Sequence, residues 1–347
     1  MKKVFIDGSA GTTGLKVRER LSSRTDIELV VLSEDLRKDP SARRDAINSA
    51  DVAFLCLPDA AAVEAVAMVE NPSTVVIDTS TAHRTAEGWE YGFPELRGRR
   101  ERIASSRRIA NPGCHASGFI ALVEPLVKCG ILPPDAPLCA FSLTGYSGGG
   151  KKMIAQYELT NPLGGSGDSP CRLDGDSPRR LDGDSPRCFE GDSPSRALPL
   201  LFLGGRQYAL AQAHKHLPEM AAICGISRPP VFSPVVVPHF SGMEVTVQLF
   251  ADALKGGIDA VRSCYGDYYC APGLVSYAED PASAEEGFLS SAGLASSDAM
   301  QVSAYGNGER VVLVSRFDNL GKGASGAAIQ NMNIALGCDE ATGLVTS

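Results

Sequence analysis

Cys114 stands in "NPGCHASG", behind Asn-Pro-Gly and ahead of the apolar run "FIALVEPL". Pro112 and Gly113 turn the chain, so the thiol falls at or near a helix N-terminus. There the dipole and the free N–H groups favour thiolate over thiol. A structural cysteine more naturally lies inside an apolar run, as Cys56 does in "AFLCLP"; Cys114 is instead a candidate nucleophile. Such a nucleophile needs an acid or base within reach, and the chain has five histidines. Two of them, His214 and His216, lie in "AQAHKHLPEM", followed by Pro218 and Glu219 at the opening of a predicted helix. Residues two apart face opposite sides of a strand, so at most one faces the thiol if this stretch is extended. As a metal pair they lack a third ligand, and no metal site is expected. His83, His115 and His239 are weaker candidates, and His115, directly after the cysteine, is expected to point away.

A second constellation lies at the start. In "VFIDGSAGTTGL", Gly8, Gly11 and Gly14 follow a strand pattern and open a helical one, so the loop Gly8, Ser9, Gly11, Thr12, Thr13, Gly14 can present backbone N–H groups to a pyrophosphate. The spacing is G-x-x-G-x-x-G rather than the commoner G-x-G-x-x-G. NAD sites usually end their second strand on an acidic residue for the ribose hydroxyls. Here "VVLSEDLRKD" puts Ser33 at that end, Glu34 and Asp35 next, and Arg37 and Lys38 one turn on. A hydroxyl with cations suits a 2′-phosphate, so NADP(H) is expected ahead of NAD.

The elements that must hold these groups are legible as periodicity. "KVFID" (3–7), "IELVVLS" (27–33), "ADVAFLCLP" (50–58) and "STVVIDTS" (73–80) are β-branched apolar runs separated by helical or turn-like segments. That alternation predicts a parallel, doubly wound α/β sheet. After Cys114, a helical pattern runs to Gly130. Long strand candidates follow: "LCAFSLTGY" (138–146), "PVVVPHFSGMEVTVQLF" (234–250) and "RVVLVSRFD" (310–318). Few crossovers separate them, which predicts an α+β second domain on an antiparallel or mixed sheet. "GAAIQNMNIALG" (326–337), apolar on one face, is expected to return to the first domain.

With 347 residues, 44% of them hydrophobic, the chain can bury one large or two medium cores. The net charge of −8 and the scattered Lys and Arg leave no basic stripe for nucleic acid or anionic lipid. No signal peptide pattern and no apolar run of ~20 residues occur, so neither secretion nor a membrane span is expected. Ten cysteines without repeated spacing or a CxxC indicate no disulfide framework. A cytoplasmic protein acting on a small molecule is the reading that remains.

One stretch departs from all this. Gly167 to Leu198 reads "GDSPCRLD", "GDSPRRLD", "GDSPRCFE", "GDSPSRAL", an eight-residue repeat. Arg beside Asp in each unit largely neutralises the charge, and there are no apolar positions to stack, so an insertion over 164–198 is read as a loop rather than a calcium-binding array.

Together "DGSAGTTG", "IDTSTAHR", "YGFPEL", "NPGCHASG", "GYSGGGKK", "HKHLPE" and "DNLGKGASGAAIQNMN" resemble the N-acetyl-γ-glutamyl-phosphate reductases, most closely their shorter, type 2 subgroup. The motifs run in the family's order from residue 3 to about 337, apart from the insertion. The resemblance implies a Rossmann-like NADP-binding domain (1–113, completed by 320–347) and a catalytic domain (114–319) of the glyceraldehyde-3-phosphate dehydrogenase type, assembled as a homodimer or homotetramer. It implies reduction of an acyl phosphate through a thioester on Cys114, with His214 or His216, and Glu219, assisting. The lean between the histidines is to His216. By the same transfer Arg84, Asn111, Ser147, Gly148 and Lys151 are expected to hold substrate, and Asn319, Lys322 and Gly323 to face the nicotinamide. Aspartate-semialdehyde dehydrogenase and a reductase of carrier-bound aminoadipyl phosphate are the neighbouring alternatives. "HKHLPE" and "GYSGGGKK" weigh against the first, and the acidic chain, which offers no basic surface to an acidic carrier, against the second. Deleting Gly167–Leu198 is expected to leave turnover within about tenfold, since loop length costs little; a complete loss in a steady-state assay would show that the segment builds the site or the oligomer.

Overall fold

A computed structural model describes residues 1–160 and 201–346, so the octapeptide repeat lies outside the described residues. The first half is β1 (Lys2–Asp7), α1 (Thr12–Leu21), β2 (Ile27–Val30), α2 (Pro40–Ser49), β3 (Val52–Leu55), α3 (Asp59–Ala67), β4 (Val75–Asp78), β5 (Glu90–Tyr91), α4 (Arg99–Ser105) and β6 (Arg108–Ala110). The strands pair in the order β2-β1-β3-β4-β6-β5, all in parallel. β3 and β4 are buried along their whole length, as expected of strands covered on both faces. Ala46, Ile47 and Ala65 cover one face, and Val17, Leu21 and Ile329 the other.

α5 (Cys114–Lys128) leads out of this sheet, and the predicted helix from the cysteine is present. It stops where Gly130 takes φ 68°, a conformation that suits glycine. Pro125, inside it, lacks the N–H that would bond the Ala121 carbonyl. The Tyr269 hydroxyl donates to that carbonyl instead at 2.7 Å, and Tyr265 donates to the Leu122 carbonyl at 2.6 Å. Tertiary contacts thus repair a break that the sequence would otherwise put in the helix.

β7 (Cys139–Gly145), α6 (Gly150–Thr160), β8 (Arg206–Gln207), α7 (Leu217–Cys224), β9 (Val231–Val237), β10 (Met243–Phe250), α8 (Gly257–Tyr268), β11 (Val275–Tyr277), β12 (Met300–Gly306), β13 (Arg310–Phe317) and α9 (Gly326–Ala335) complete the chain. The second sheet has the order β11-β12-β13-β10-β7-β9-β8 and is mixed, with β11/β12 and β7/β9 parallel and its other pairs antiparallel. The long run 234–250 is two strands rather than one. The chain breaks at Pro238–Gly242, where Gly242 has φ 116°, and β9 and β10 end on opposite sides of β7. Strands β5, β6, β8, β11 and β12 escaped the sequence reading because they are short or lack an apolar run.

α9 packs against the first sheet's core through Ala328, Ile329 and Met332. It is not an amphipathic helix with a solvated face, because Gln330, Asn331 and Asn333 are buried too. Their amide nitrogens find partners: Asn331 donates to the Gly92 carbonyl (2.9 Å), Asn333 to the carbonyls of Glu340 and Thr342 (3.0 Å each).

α5 seats on the second sheet through Gly118, where a Cβ would stand 2.5 Å from Val245 Cγ2 and 2.8 Å from Phe317 Cε1. Gly118→Val is therefore expected to destabilise the fold by about 1–3 kcal/mol through overpacking, read as a lower midpoint in urea unfolding.

Candidate active site

β6 lies beside β4 and delivers Asn111, Pro112 and Gly113 to the carboxyl edge of the parallel sheet, the Asn111 N–H bonding the Asp78 carbonyl at 2.7 Å. Gly113 is the N-cap of α5, which puts Cys114 in the first turn, half-buried in the wall of a cleft. The helix N-terminus was expected to favour thiolate. Burial outweighs it: the thiol is pushed above its ordinary value by desolvation, opposed by the His115 N–H and the charges of Arg84 and Lys215.

Behind Gly113 is a buried carboxylate. Glu219, in the first turn of α7, accepts from Arg84 Nη1 at 2.6 Å on Oε1, and from the Tyr91 hydroxyl (3.0 Å) and the Gly113 N–H (3.2 Å) on Oε2. Burial raises the Glu219 carboxyl above its usual range, against the pull of Arg84 and the two other donors. A Cβ on Gly113 would stand 2.5 Å from both Glu219 Oε1 and His216 Nε2, and would also strike Arg84. Three charged or polar groups thus close on one glycine, which only a residue without a side chain permits.

His216 caps α7, is buried, and lines the same cleft as Cys114; its Nδ1 is buried without a partner among the described residues. His214 is half-buried, does not line that cleft, and accepts the His216 N–H on its Nδ1 at 3.2 Å. Burial, with Arg84 next, holds His216 well below the usual imidazole value, and burial with Lys215 brings His214 down to about 4. Both are neutral at pH 7. His115 does not line the cleft either, but it is not remote: its ring centroid is 5.3 Å from His214 and 5.6 Å from His216. Its nitrogens meet Ser142 Oγ (2.8 Å) and the Tyr208 hydroxyl (2.6 Å).

The cleft, about 340 Å³, joins Gly11, Thr12 and Thr13 to Cys114, His216, Arg84, Asn111, Ser147, Gly148, Asn319 and Gly323. Asn319 donates to Ser147 Oγ at 2.9 Å and accepts the Gly242 N–H at 3.0 Å. Arg84 is largely committed to protein, since Nε donates to the Asn111 carbonyl (3.0 Å) and Nη2 to the Thr79 carbonyl (3.1 Å). A larger neighbouring cleft, about 720 Å³, is lined by Gly8, Ser9, Leu32, Glu34 and four cations: Arg18, Arg37, Lys38 and Arg43. Arg43 is paired with Asp7 at 2.8 Å. Backbone N–H groups at a helix start beside clustered cations are a donor set that fits a dinucleotide.

Several expected residues are elsewhere. Lys322 does not face the cleft; its ammonium is buried on Glu95 and Gln330 because an unpaired buried charge would be costly. Lys151 is exposed on α6, outside the cleft lining. Ser33 is exposed, and its hydroxyl holds Asp35 rather than opening to the large cleft. Gly14 packs on the Gly8 carbonyl and lines neither cleft. Glu219 serves Gly113 and not the open cleft. Missed were Tyr91, Tyr208, Lys215, Arg18 and Arg43. For Lys215 a signal existed, its place between the two histidines; for Tyr91 and Tyr208 none did, because only folding brings them near.

Residues 3–106 match the semialdehyde dehydrogenase NAD binding domain, and residues 203–319 the semialdehyde dehydrogenase dimerisation domain. The chain is 40% identical to N-acetyl-gamma-glutamyl-phosphate reductase 2 of Nostoc sp., over 99% of both chains. It is 42% identical to the N-acetyl-gamma-glutamyl-phosphate reductase of Brucella anthropi, over 96% of this chain and 98% of that one. In fold it is similar to aspartate semialdehyde dehydrogenase from Francisella tularensis, with TM-score 0.67, 12% identity and coverage of 96% and 99%. It is also similar to aspartate semialdehyde dehydrogenase II complexed with ASA from Vibrio cholerae, with TM-score 0.64, 16% identity and coverage of 97% and 98%.

Because burial raises the Cys114 thiol, its thiolate fraction grows with pH through neutrality. The alkylation rate of Cys114 by iodoacetamide is expected to climb about tenfold per pH unit between roughly pH 6 and 8; a flat profile would mean a thiolate already formed at pH 6.

Proposed function

We propose, since the chain belongs to the N-acetyl-γ-glutamyl-phosphate reductase family, that it reduces N-acetyl-γ-glutamyl phosphate to N-acetylglutamate 5-semialdehyde and phosphate with Cys114 as nucleophile. The sulfur attacks the acyl carbon; the C–S bond forms as the carbon–oxygen bond to phosphate breaks, leaving a thioester on Cys114. His216, neutral and beside the thiol, takes the thiol proton and passes it to the departing phosphate. The nicotinamide cofactor, when bound, supplies the hydride that reduces the thioester carbonyl. His216 then carries a solvent proton to the oxyanion of the hemithioacetal, which collapses to aldehyde and free thiol. One proton is consumed overall.

Glu219 and Arg84 act through the backbone in this scheme. Held between them, Gly113 keeps the start of α5 and its cysteine at the cleft wall. Ser147, Gly148, Asn111 and Asn319 line the same cleft and are the groups available to substrate and nicotinamide. Gly8, Ser9, Gly11, Thr12 and Thr13 are read as the pyrophosphate loop. The observation that carries the reading is that His216, Arg84 and Glu219 converge on the glycine preceding Cys114, in a cleft continuous with that loop.

For the cofactor we read NADP(H), on the strength of Arg18, Arg37 and Lys38 around the large cleft, where a 2′-phosphate would be matched by charge. The match to a dimerisation domain supports a homo-oligomer. Among the described residues no helix is long and apolar enough to cross a membrane, and the cytoplasm is the compartment we assign.

Cys114→Ser is expected to lower turnover by about a thousandfold or more while cofactor binding, followed by fluorescence, is kept; an unchanged rate overturns the scheme. Arg37→Ala is expected to reduce kcat/KM for NADPH about tenfold with little change for NADH, the worth of one charge-assisted hydrogen bond. Equal losses with both cofactors would place the 2′-phosphate elsewhere.

A further inference from the structure

The turn Gly321–Ser325 approaches Cys114 from the C-terminal segment of the chain. It is a π-turn, wider than an α-helical one, and leads directly into α9. A Cβ on Gly323 would stand 3.0 Å from the Cys114 Cβ, and the Ala324 carbonyl accepts from Asn111 Nδ2 at 3.1 Å. A glycine lets the backbone approach the thiol that closely but supplies no side chain to hold it there. The holding is done from behind.

Lys322, the residue just before those contacts, is 1% exposed and points away from the cleft. Its Nζ donates to both Glu95 oxygens at 2.9 and 2.8 Å and to Gln330 Oε1 at 2.5 Å, and lies 4.9 Å from the centroid of the Phe93 ring. Glu95 in turn accepts from Gln330 Nε2 (2.9 Å) and from the Leu274 N–H (3.1 Å). Gln330 also bonds Glu340, which pairs with Arg100. The chain segments 93–96, 99–105, 274, 326–335 and 340 are thus tied to one ammonium. On the turn's other flank, Asp318 accepts the N–H groups of Leu320 (2.6 Å) and Gly321 (3.0 Å). Fully buried Asp298 fills the space against Gly321 and Gly326 while pairing with Arg20 of α1.

We propose that the Lys322–Glu95 pair is a positioning device that fixes the turn Gly321–Ser325 and so sets how the Gly323 backbone and the Ala324 carbonyl stand against Cys114 and Asn111. The pair touches neither the cleft nor the sulfur, so it acts only through the turn. The proposal rests on the reading of Cys114 as nucleophile.

Lys322→Met alone leaves a buried carboxylate unpaired, so the informative variant is Lys322→Met with Glu95→Gln in the full chain, its folding checked by melting midpoint. Two quantities are read: the rate of Cys114 alkylation by iodoacetamide, and kcat and KM of the reductase reaction. A folded double variant is expected to bind NADP+ within about threefold of the parent, to alkylate at a rate shifted about threefold or more, and to lose about tenfold in kcat with KM little changed. A folded double variant matching the parent in both alkylation and kcat overturns the proposal. Should the double variant fail to fold, Lys322→Arg decides, because the charge is kept while the larger fork displaces the turn; an unchanged alkylation rate then overturns it, and a shifted one supports it. Alkylation needs no substrate, so a shifted alkylation rate with unchanged kcat supports the positioning role and counts against Cys114 as the nucleophile.

Discussion

The carboxylate of Glu219 is buried and accepts three donors, and the rest of the site depends on that arrangement. Arg84 comes from the segment after β4, Tyr91 from β5, Gly113 from the start of α5, and Glu219 itself from α7. A charge removed from water is tolerated only when its partners are complete. The four segments are therefore not free to drift apart, and the cost of separating them is the cost of leaving a buried ion unpaired. Glu219 comes from the second half of the chain and its three donors from the segments up to the start of α5, so the junction fixes one half against the other at the point where the cysteine emerges.

The same burial decides the protonation states around the thiol. Desolvation raises Cys114 and Glu219 and lowers His115, His214 and His216. In each group the neutral form gains. A helix N-terminus alone would favour a thiolate. Here the environment favours the neutral thiol and the neutral imidazoles, which suits a mechanism in which a neutral imidazole accepts the thiol proton when the substrate arrives.

Fold class was readable because hydrophobic periodicity survives in single segments. β1, β3, β4, β7 and β13 each coincide with an apolar run, and the helix from Cys114 to its stop near Gly130 follows its sequence pattern. What was misread were positions where a tertiary contact overrides a local cue. Lys322 was expected to face the nicotinamide by transfer from the family resemblance of "DNLGKGASG"; whether its ammonium turned to the cleft or away depended on Glu95, 227 residues off in the chain. α9 looked amphipathic because Gln and Asn are usually solvated, and it is buried because each amide finds a backbone or side-chain partner.

By itself, the sequence determined the parallel first sheet, an antiparallel or mixed second one, the glycine loop at the first strand's end, and the family to which Cys114 and the histidine pair belong. These follow from local spacing and from motifs that each occupy a few adjacent residues. Only the tertiary structure decided that His216 rather than His214 lines the cleft, that Glu219 serves Gly113, and that Lys322 turns inward. Each of those outcomes is a pairing between residues far apart in the chain, settled by which buried polar group must be satisfied, and no local pattern carries that information.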